Sequence, residues 1–235
     1  MRMTTSPLIY RDYAPRRGNA IVSVVALHGE GGDLRQLARL CSNLDARCRI
    51  VVPQAELACV QSEREETPAP HGYRWYETDV LQRPEPESFE RALYHAEQFV
   101  RDVMERRSPG EFRPLLLGYG QGAVLAMGVA HALSEVLTGV IAISGALWGP
   151  ATAKLRGELT GLPTLLVHDP ADARVPRTRV RATLELLKTR GALAELCELE
   201  GVGGDPERAS ALLRRWTDEC LASTFRTDFN WEIGL

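Results

Sequence analysis

No stretch of this 235-residue chain approaches the roughly 18 consecutive apolar residues of a membrane-spanning helix. The segment from Met1 to Tyr10 also lacks the apolar core of a secretory signal, so a cytoplasmic location is expected. Cysteine is sparse and unpatterned. Cys41, Cys48, Cys59, Cys197 and Cys220 make five, an odd number without C-x-x-C spacing, which argues against a disulfide framework or a zinc site and for reduced thiols. No metal or cofactor is expected. Charge of one sign is missing too: the net charge is -3 and no basic stripe is present to neutralise phosphates, which argues against a nucleic-acid partner. Internal repeats, low-complexity segments and linkers are absent, and a 44% hydrophobic, 25% charged composition is that of a globular domain. The expected organisation is an edge strand and turn over 1–19, one α/β domain over 20–223, and a tail over 224–235.

What the chain does have is a regular alternation of strand and helix patterns. Pro7 to Ala14 suits an antiparallel edge strand. Ile21 to Leu27 is a β-branched apolar run, the pattern of a strand buried on both faces. After it, Leu34, Leu37, Leu40 and Leu44 keep helical spacing, with Asp33 as a predicted N-cap. A short strand over Arg49 to Val52 precedes an irregular stretch, Ala55 to Pro86, long enough to suggest a functional loop. Phe89, Leu93, Ala96, Val100, Val103 and Met104 mark one face of a helix over Glu87 to Arg107. Strands follow at Pro114 to Gly118, Gly139 to Ser144, Leu162 to His168 and Leu193 to Leu199. Helices are predicted at Gln121 to Ser134, Arg177 to Arg190 and Pro206 to Ser223. This alternation predicts right-handed βαβ units, a mainly parallel central sheet and helices on both faces.

The stretch Leu115-Leu116-Leu117-Gly118-Tyr119-Gly120-Gln121-Gly122-Ala123 organises the rest: an apolar strand, a sharp glycine turn, and an alanine-rich helix start. Around it stand Leu27-His28-Gly29-Glu30-Gly31-Gly32-Asp33, Pro53-Gln54-Ala55, Trp75-Tyr76-Glu77, Ile143-Ser144-Gly145, and His168-Asp169-Pro170-Ala171-Asp172-Ala173-Arg174-Val175-Pro176. In this order and spacing, from about Ala20 to Ala222, they resemble the phospholipase/carboxylesterase branch of the α/β-hydrolases, which includes acyl-protein thioesterase-like enzymes. The resemblance implies the α/β-hydrolase fold. It also implies a triad in which serine attacks an acyl carbon, histidine carries its proton, an acid orients the histidine, and backbone N–H groups hold the oxyanion.

Carried over position by position, that pattern departs from the family at two places. The nucleophile falls on Gly120, and the histidine of the G-x-G-H segment falls on Gly204 in Gly201-Val202-Gly203-Gly204-Asp205; the acid falls on Asp172. The resemblance therefore implies a degenerate triad, lacking both ends of the proton transfer that makes serine nucleophilic. Removing serine or histidine alone from such a unit costs about a millionfold in rate. Glu30 lies where the family builds half of its oxyanion hole. It is either a solvent-facing loop residue or a replacement general base, raised in pKa by burial.

The remaining candidates divide between structure and ligand contact. Gly120 either relieves the strain of the turn or makes room for a ligand. The backbone N–H of Gln121, at a helix N-terminus, suits an anion or a carbonyl. His71, Tyr73, Trp75, Tyr76 and Glu77 wall a pocket or anchor their loop, and Tyr119 packs beside the turn. Asp205 is an expected N-cap. The arginines from Arg174 to Arg190 form a solvated helix face or a site for an anionic partner. Ligand contact is expected from His28, Gly29, Glu30, His71, Tyr73, Trp75, Tyr76, Tyr119, Gly120 and Gln121. Three readings follow: a pseudoenzyme that binds a small organic molecule or a partner without hydrolysis, which is preferred; a cyclising, isomerising or eliminating enzyme using Glu30, the preferred base, Asp172, Asp205 or the aromatic loop; or a residual carboxylesterase or thioesterase using relocated groups. The apolar tail, with Phe225, Phe229 and Trp231, suggests packing on the domain, a partner or a second copy.

Overall fold

The computed structural model describes residues 6–59, 72–153 and 155–229. The chain runs β1 (Tyr10–Tyr13), β2 (Val22–Leu27), α1 (Gln36–Cys41), β3 (Cys48–Pro53), β4 (Leu57–Ala58), β5 (Tyr73–Arg74), α2 (Pro86–Glu105), β6 (Phe112–Tyr119), α3 (Gln121–Leu133), β7 (Gly139–Ile143), α4 (Pro150–Ala153), β8 (Pro163–His168), α5 (Arg177–Thr189), β9 (Leu193–Glu198) and α6 (Ser210–Phe229). Seven strands form one sheet in the order β1-β3-β2-β6-β7-β8-β9, and β4 and β5 form a separate small ribbon. Only β1 pairs antiparallel in the large sheet, on β3. This is the α/β-hydrolase fold.

The centre of the sheet is buried on both faces because its strands carry near-continuous apolar runs, such as Val24–Leu27, Leu115–Leu117 and Val140–Ile143, rather than apolar residues at alternate positions. Leu116 of β6 enters the core shared with Phe89 and Val100 of α2, Leu125 and Met127 of α3, and Val180 and Leu187 of α5. Its neighbours Leu115 and Leu117 enter the opposite core, with Leu37 and Leu40 of α1 and Leu213 and Trp216 of α6. All three leucines are fully buried, so truncating any one to alanine would cost about 2–5 kcal/mol. The helix α2 starts sharply because the Glu85 side chain accepts from the N–H groups of Glu87 and Ser88, with Pro86 in its first turn.

Two expected boundaries shift. Asp33 is not the cap of α1: its carboxylate accepts from the Arg35 N–H at 2.7 Å and orders the turn one step earlier, while the helix begins at Gln36 without a side-chain cap. The last helix does not end at Ser223 but continues to Phe229, after a short turn of 3-10 helix at Pro206–Ala209 capped by Asp205, whose carboxylate accepts from the Glu207 N–H. Trp231 and the rest of the expected tail lie outside the described residues. The loops that follow β2, β6, β7, β8 and β9 meet at the C-terminal edge of the sheet, where open α/β sheets bind ligands.

Candidate functional site

The site is built around the turn between β6 and α3. Gly120 has φ +55 and ψ -118, and its N–H donates to the Ile143 carbonyl at 2.9 Å. The flanking glycines are held by close backbone approach. A Cβ at Gly118 would lie 2.2 Å from the Gly122 carbonyl oxygen, and one at Gly122 only 2.0 Å from that of Leu27. At Gly120 itself the nearest atom, the Gly29 Cα, would be 3.6 Å away, an ordinary contact. The turn thus has room for a side chain at its centre and carries none.

A cavity of about 210 Å³ opens above this turn. Gly29, Glu30, Tyr76, Tyr119, Gly120 and Gln121 line it, as six of the ten expected ligand contacts. Asp172, Ser144, Trp148, Arg174 and Arg179 join them from the loops after β7 and β8 and from the first turn of α5. Tyr73, His28 and Trp75 do not line the cavity. Tyr73 pairs its backbone with Gly31 and Gly32. His28 is fully buried, donating from Nδ1 to the Gly29 carbonyl at 2.7 Å and accepting the Ala55 N–H on Nε2 at 3.1 Å. Burial lowers its pKa, and this pattern of bonds fits the neutral ring. Trp75 donates from Nε1 to the His28 carbonyl at 2.8 Å and packs on the imidazole. These residues hold the wall from behind. His71 lies outside the described residues.

Gln121 links the wall to the turn. Its buried side chain accepts from the Trp75 N–H at 2.9 Å and donates to the Tyr76 carbonyl at 3.0 Å, while its own N–H opens α3, where no intrahelical acceptor exists. The positive end of the α3 dipole therefore faces the cavity.

The acid position retains an unusual carboxylate. The Asp172 side chain is 4% exposed. Oδ1 accepts from the Arg174 N–H at 2.9 Å and from its Nε at 3.3 Å, whereas Oδ2 is buried without a hydrogen-bond partner. Oδ2 lies against the backbone at Gly203, where a Cβ would come within 2.9 Å of it; a Cβ at Gly204 would meet nothing within 4 Å. The Gly203 carbonyl accepts from Tyr119 Oη at 2.5 Å and from Arg174 Nη2 at 2.8 Å. Asp169, which was not singled out in the sequence, fixes the same loop: it accepts from the N–H groups of Ala171, Gly201 and Gly203, and these donors hold its pKa below the usual carboxylate value. An acid followed by proline and a turn is the signal that marks it.

Glu30 lines the cavity, but its side chain is 42% exposed and lies 3.9 Å from Arg74 Nη1, which also pairs with Glu77 at 2.9 Å. The Glu30 carboxylate is therefore half-exposed and ion-paired rather than buried. Among the described residues no histidine lines the cavity. His95 meets Glu56 on the surface, His131 bonds the Met127 carbonyl within α3, and His168, at the end of β8, is buried with both ring nitrogens unpartnered and a pKa lowered by burial. Ser144 has a positive φ of 51°, is 4% exposed, and lines the cavity with its Oγ unpartnered. Among the described residues no three His, Cys, Asp or Glu side chains gather to hold a metal ion.

Residues 15–206 match the profile of the Phospholipase/Carboxylesterase family. Among solved structures, esterase PE8 is 27% identical over 88% of this chain and 98% of its own, with a TM-score of 0.70. A carboxylesterase from Mesorhizobium loti is 22% identical over 92% of this chain and 99% of its own, with a TM-score of 0.73. SOBER1 of Arabidopsis thaliana is 18% identical over 85% and 99%, with a TM-score of 0.68. No functionally curated protein matches the chain significantly.

Proposed function

The chain belongs to the phospholipase/carboxylesterase family of α/β-hydrolases, and from that premise we propose that it uses the family's pocket to bind a small organic molecule without hydrolysing it. The observation that carries this reading is the centre of the β6–α3 turn. Gly120 offers no nucleophile in a place with room for one, Gly204 offers no imidazole, and Oδ2 of Asp172, which in a triad would accept an imidazole N–H, is buried without a partner. Serine attack requires both groups, and losing either removes about a millionfold of rate. The parts that bind rather than react remain: a cavity with aromatic walls, the N-terminus of α3, and a loop braced by Tyr119, Arg174 and Asp169.

Glu30 as a general base draws no support from its half-exposed, ion-paired carboxylate. One observation favours a second reading, residual ester hydrolysis: Ser144 lines the cavity, and its buried hydroxyl has no partner. Mass spectrometry of ligand extracted from purified protein, before and after long incubation, separates the two. The binding reading expects the ligand to be recovered intact and in stoichiometric amount. Progressive conversion to acid and alcohol, stopped by Ser144→Ala, would overturn it.

A further inference from the structure

We propose that the ligand is a small monocarboxylate, with its carboxylate held by Arg179 and its apolar body lying against Trp148, Tyr76 and Val124. The inference rests on the binding role above and narrows it to a chemical class.

Four charged side chains line the cavity: Glu30, Asp172, Arg174 and Arg179. Three are compensated within the protein. Glu30 faces Arg74 at 3.9 Å, and Asp172 and Arg174 bond each other. Arg179, half-buried near the start of α5, has no carboxylate or other hydrogen-bond acceptor on its guanidinium among the described residues. It sits over the Trp148 ring instead, with Cζ 3.0 Å from the ring centroid. The contact with the ring holds the cation in place and uses none of its N–H donors, and an unpaired guanidinium suits a planar bidentate acceptor such as a carboxylate.

Two further donors converge on the same cavity. Ser144 is 4% exposed and lines the cavity, and its buried Oγ has no partner within the protein. The first N–H groups of the 13-residue helix α3 add a positive dipole end. A single uncompensated cation, beside two carboxylates that also line the site, favours a monoanion over a phosphate or a dicarboxylate. The remaining walls include Tyr76, Val124, Ala146, Trp148 and Val175. They call for an aryl or short alkyl body, and the volume of about 210 Å³ falls below the ~300–1,000 Å³ typical of drug-sized pockets.

The test is calorimetric titration of the full chain with benzoate, phenylacetate and hexanoate, each against its primary amide. It is repeated on Arg179→Ala and Arg179→Gln, with thermal melts to verify folding. At least one acid is expected to bind, its amide about 10- to 100-fold more weakly, and both variants are expected to lose that margin. Equal binding of acids and amides, acid binding unchanged in the Arg179 variants, or no binding of any acid would overturn the carboxylate assignment. Amide binding that competes with the endogenous ligand would leave the binding role standing while the assignment fell. Hydrolysis of phenyl acetate stopped by Ser144→Ala would instead overturn the binding role itself.

Discussion

Replacing Gly120 with alanine tests whether the turn still carries the strain of a nucleophile-bearing elbow. A Cβ there would meet only the Gly29 Cα, at 3.6 Å, so packing contributes almost nothing to the effect. The cost comes from the backbone, held at φ +55 and ψ -118, a conformation that costs a residue with a Cβ about 1–3 kcal/mol. Gly204→Ala is the matched control. Its Cβ would also enter open space, but its φ lies outside the left-handed region, so the smaller entropy of the unfolded alanine chain stabilises the fold by about 0.4–1 kcal/mol. That entropy gain is common to both variants, so they should differ by the backbone strain of about 1–3 kcal/mol, a Tm difference of roughly 2–12 °C in a chain of this size. Urea unfolding followed by tryptophan fluorescence, together with scanning calorimetry, would measure it. Equal shifts in the two variants, or a stabilised Gly120→Ala protein, would refute the claim that the elbow geometry is retained under strain.

Gln121→Leu keeps the side-chain volume but strands the buried Trp75 N–H and Tyr76 carbonyl, so it should cost about 2–5 kcal/mol in urea unfolding and loosen the cavity wall, read as faster amide exchange at Trp75. Stability should also fall between pH 7 and pH 5.5. His28, His131 and His168 are buried with lowered pKa values, so below about pH 6.5 the unfolded chain binds protons that the folded protein refuses. The stability these groups contribute is complete above that pH and declines as pH drops toward each folded-state value, by at most about 1.4 kcal/mol per unit per histidine. A flat Tm across this window would contradict their assignment as neutral buried rings.

The strands were legible because burial on both faces writes a nearly continuous apolar run, broken only by Ser23 in Val22–Leu27 and unbroken in Leu115 to Leu117. The β6–α3 turn was legible because close backbone approach at Gly118 and Gly122 admits glycine alone. The cavity's ligand-facing chemistry was less so. Trp148 and Arg179 come from a loop and a helix that meet only through the packing of α5 on the sheet, and in sequence Arg179 is one of several arginines on a solvated face. His28 was among the expected ligand contacts, and Trp75 was expected there as a large aromatic with a polar tip, but neither lines the cavity. A neutral imidazole bonded at both nitrogens and an indole donating to the backbone instead form the layer behind the wall.

The central claim is that the pocket binds but does not turn over its ligand because two positions lack side chains. It is tested most directly by the rate of acyl-ester and thioester hydrolysis in the wild-type chain, Gly120→Ser, Gly204→His and the double variant. The account predicts background rates for the first three. It predicts clear turnover only when both groups are present, because serine attack needs the hydroxyl and the imidazole together, and a side chain at Gly204 would enter open space. Wild-type turnover above background that falls on Ser144→Ala, Glu30→Gln or Asp172→Asn would contradict it.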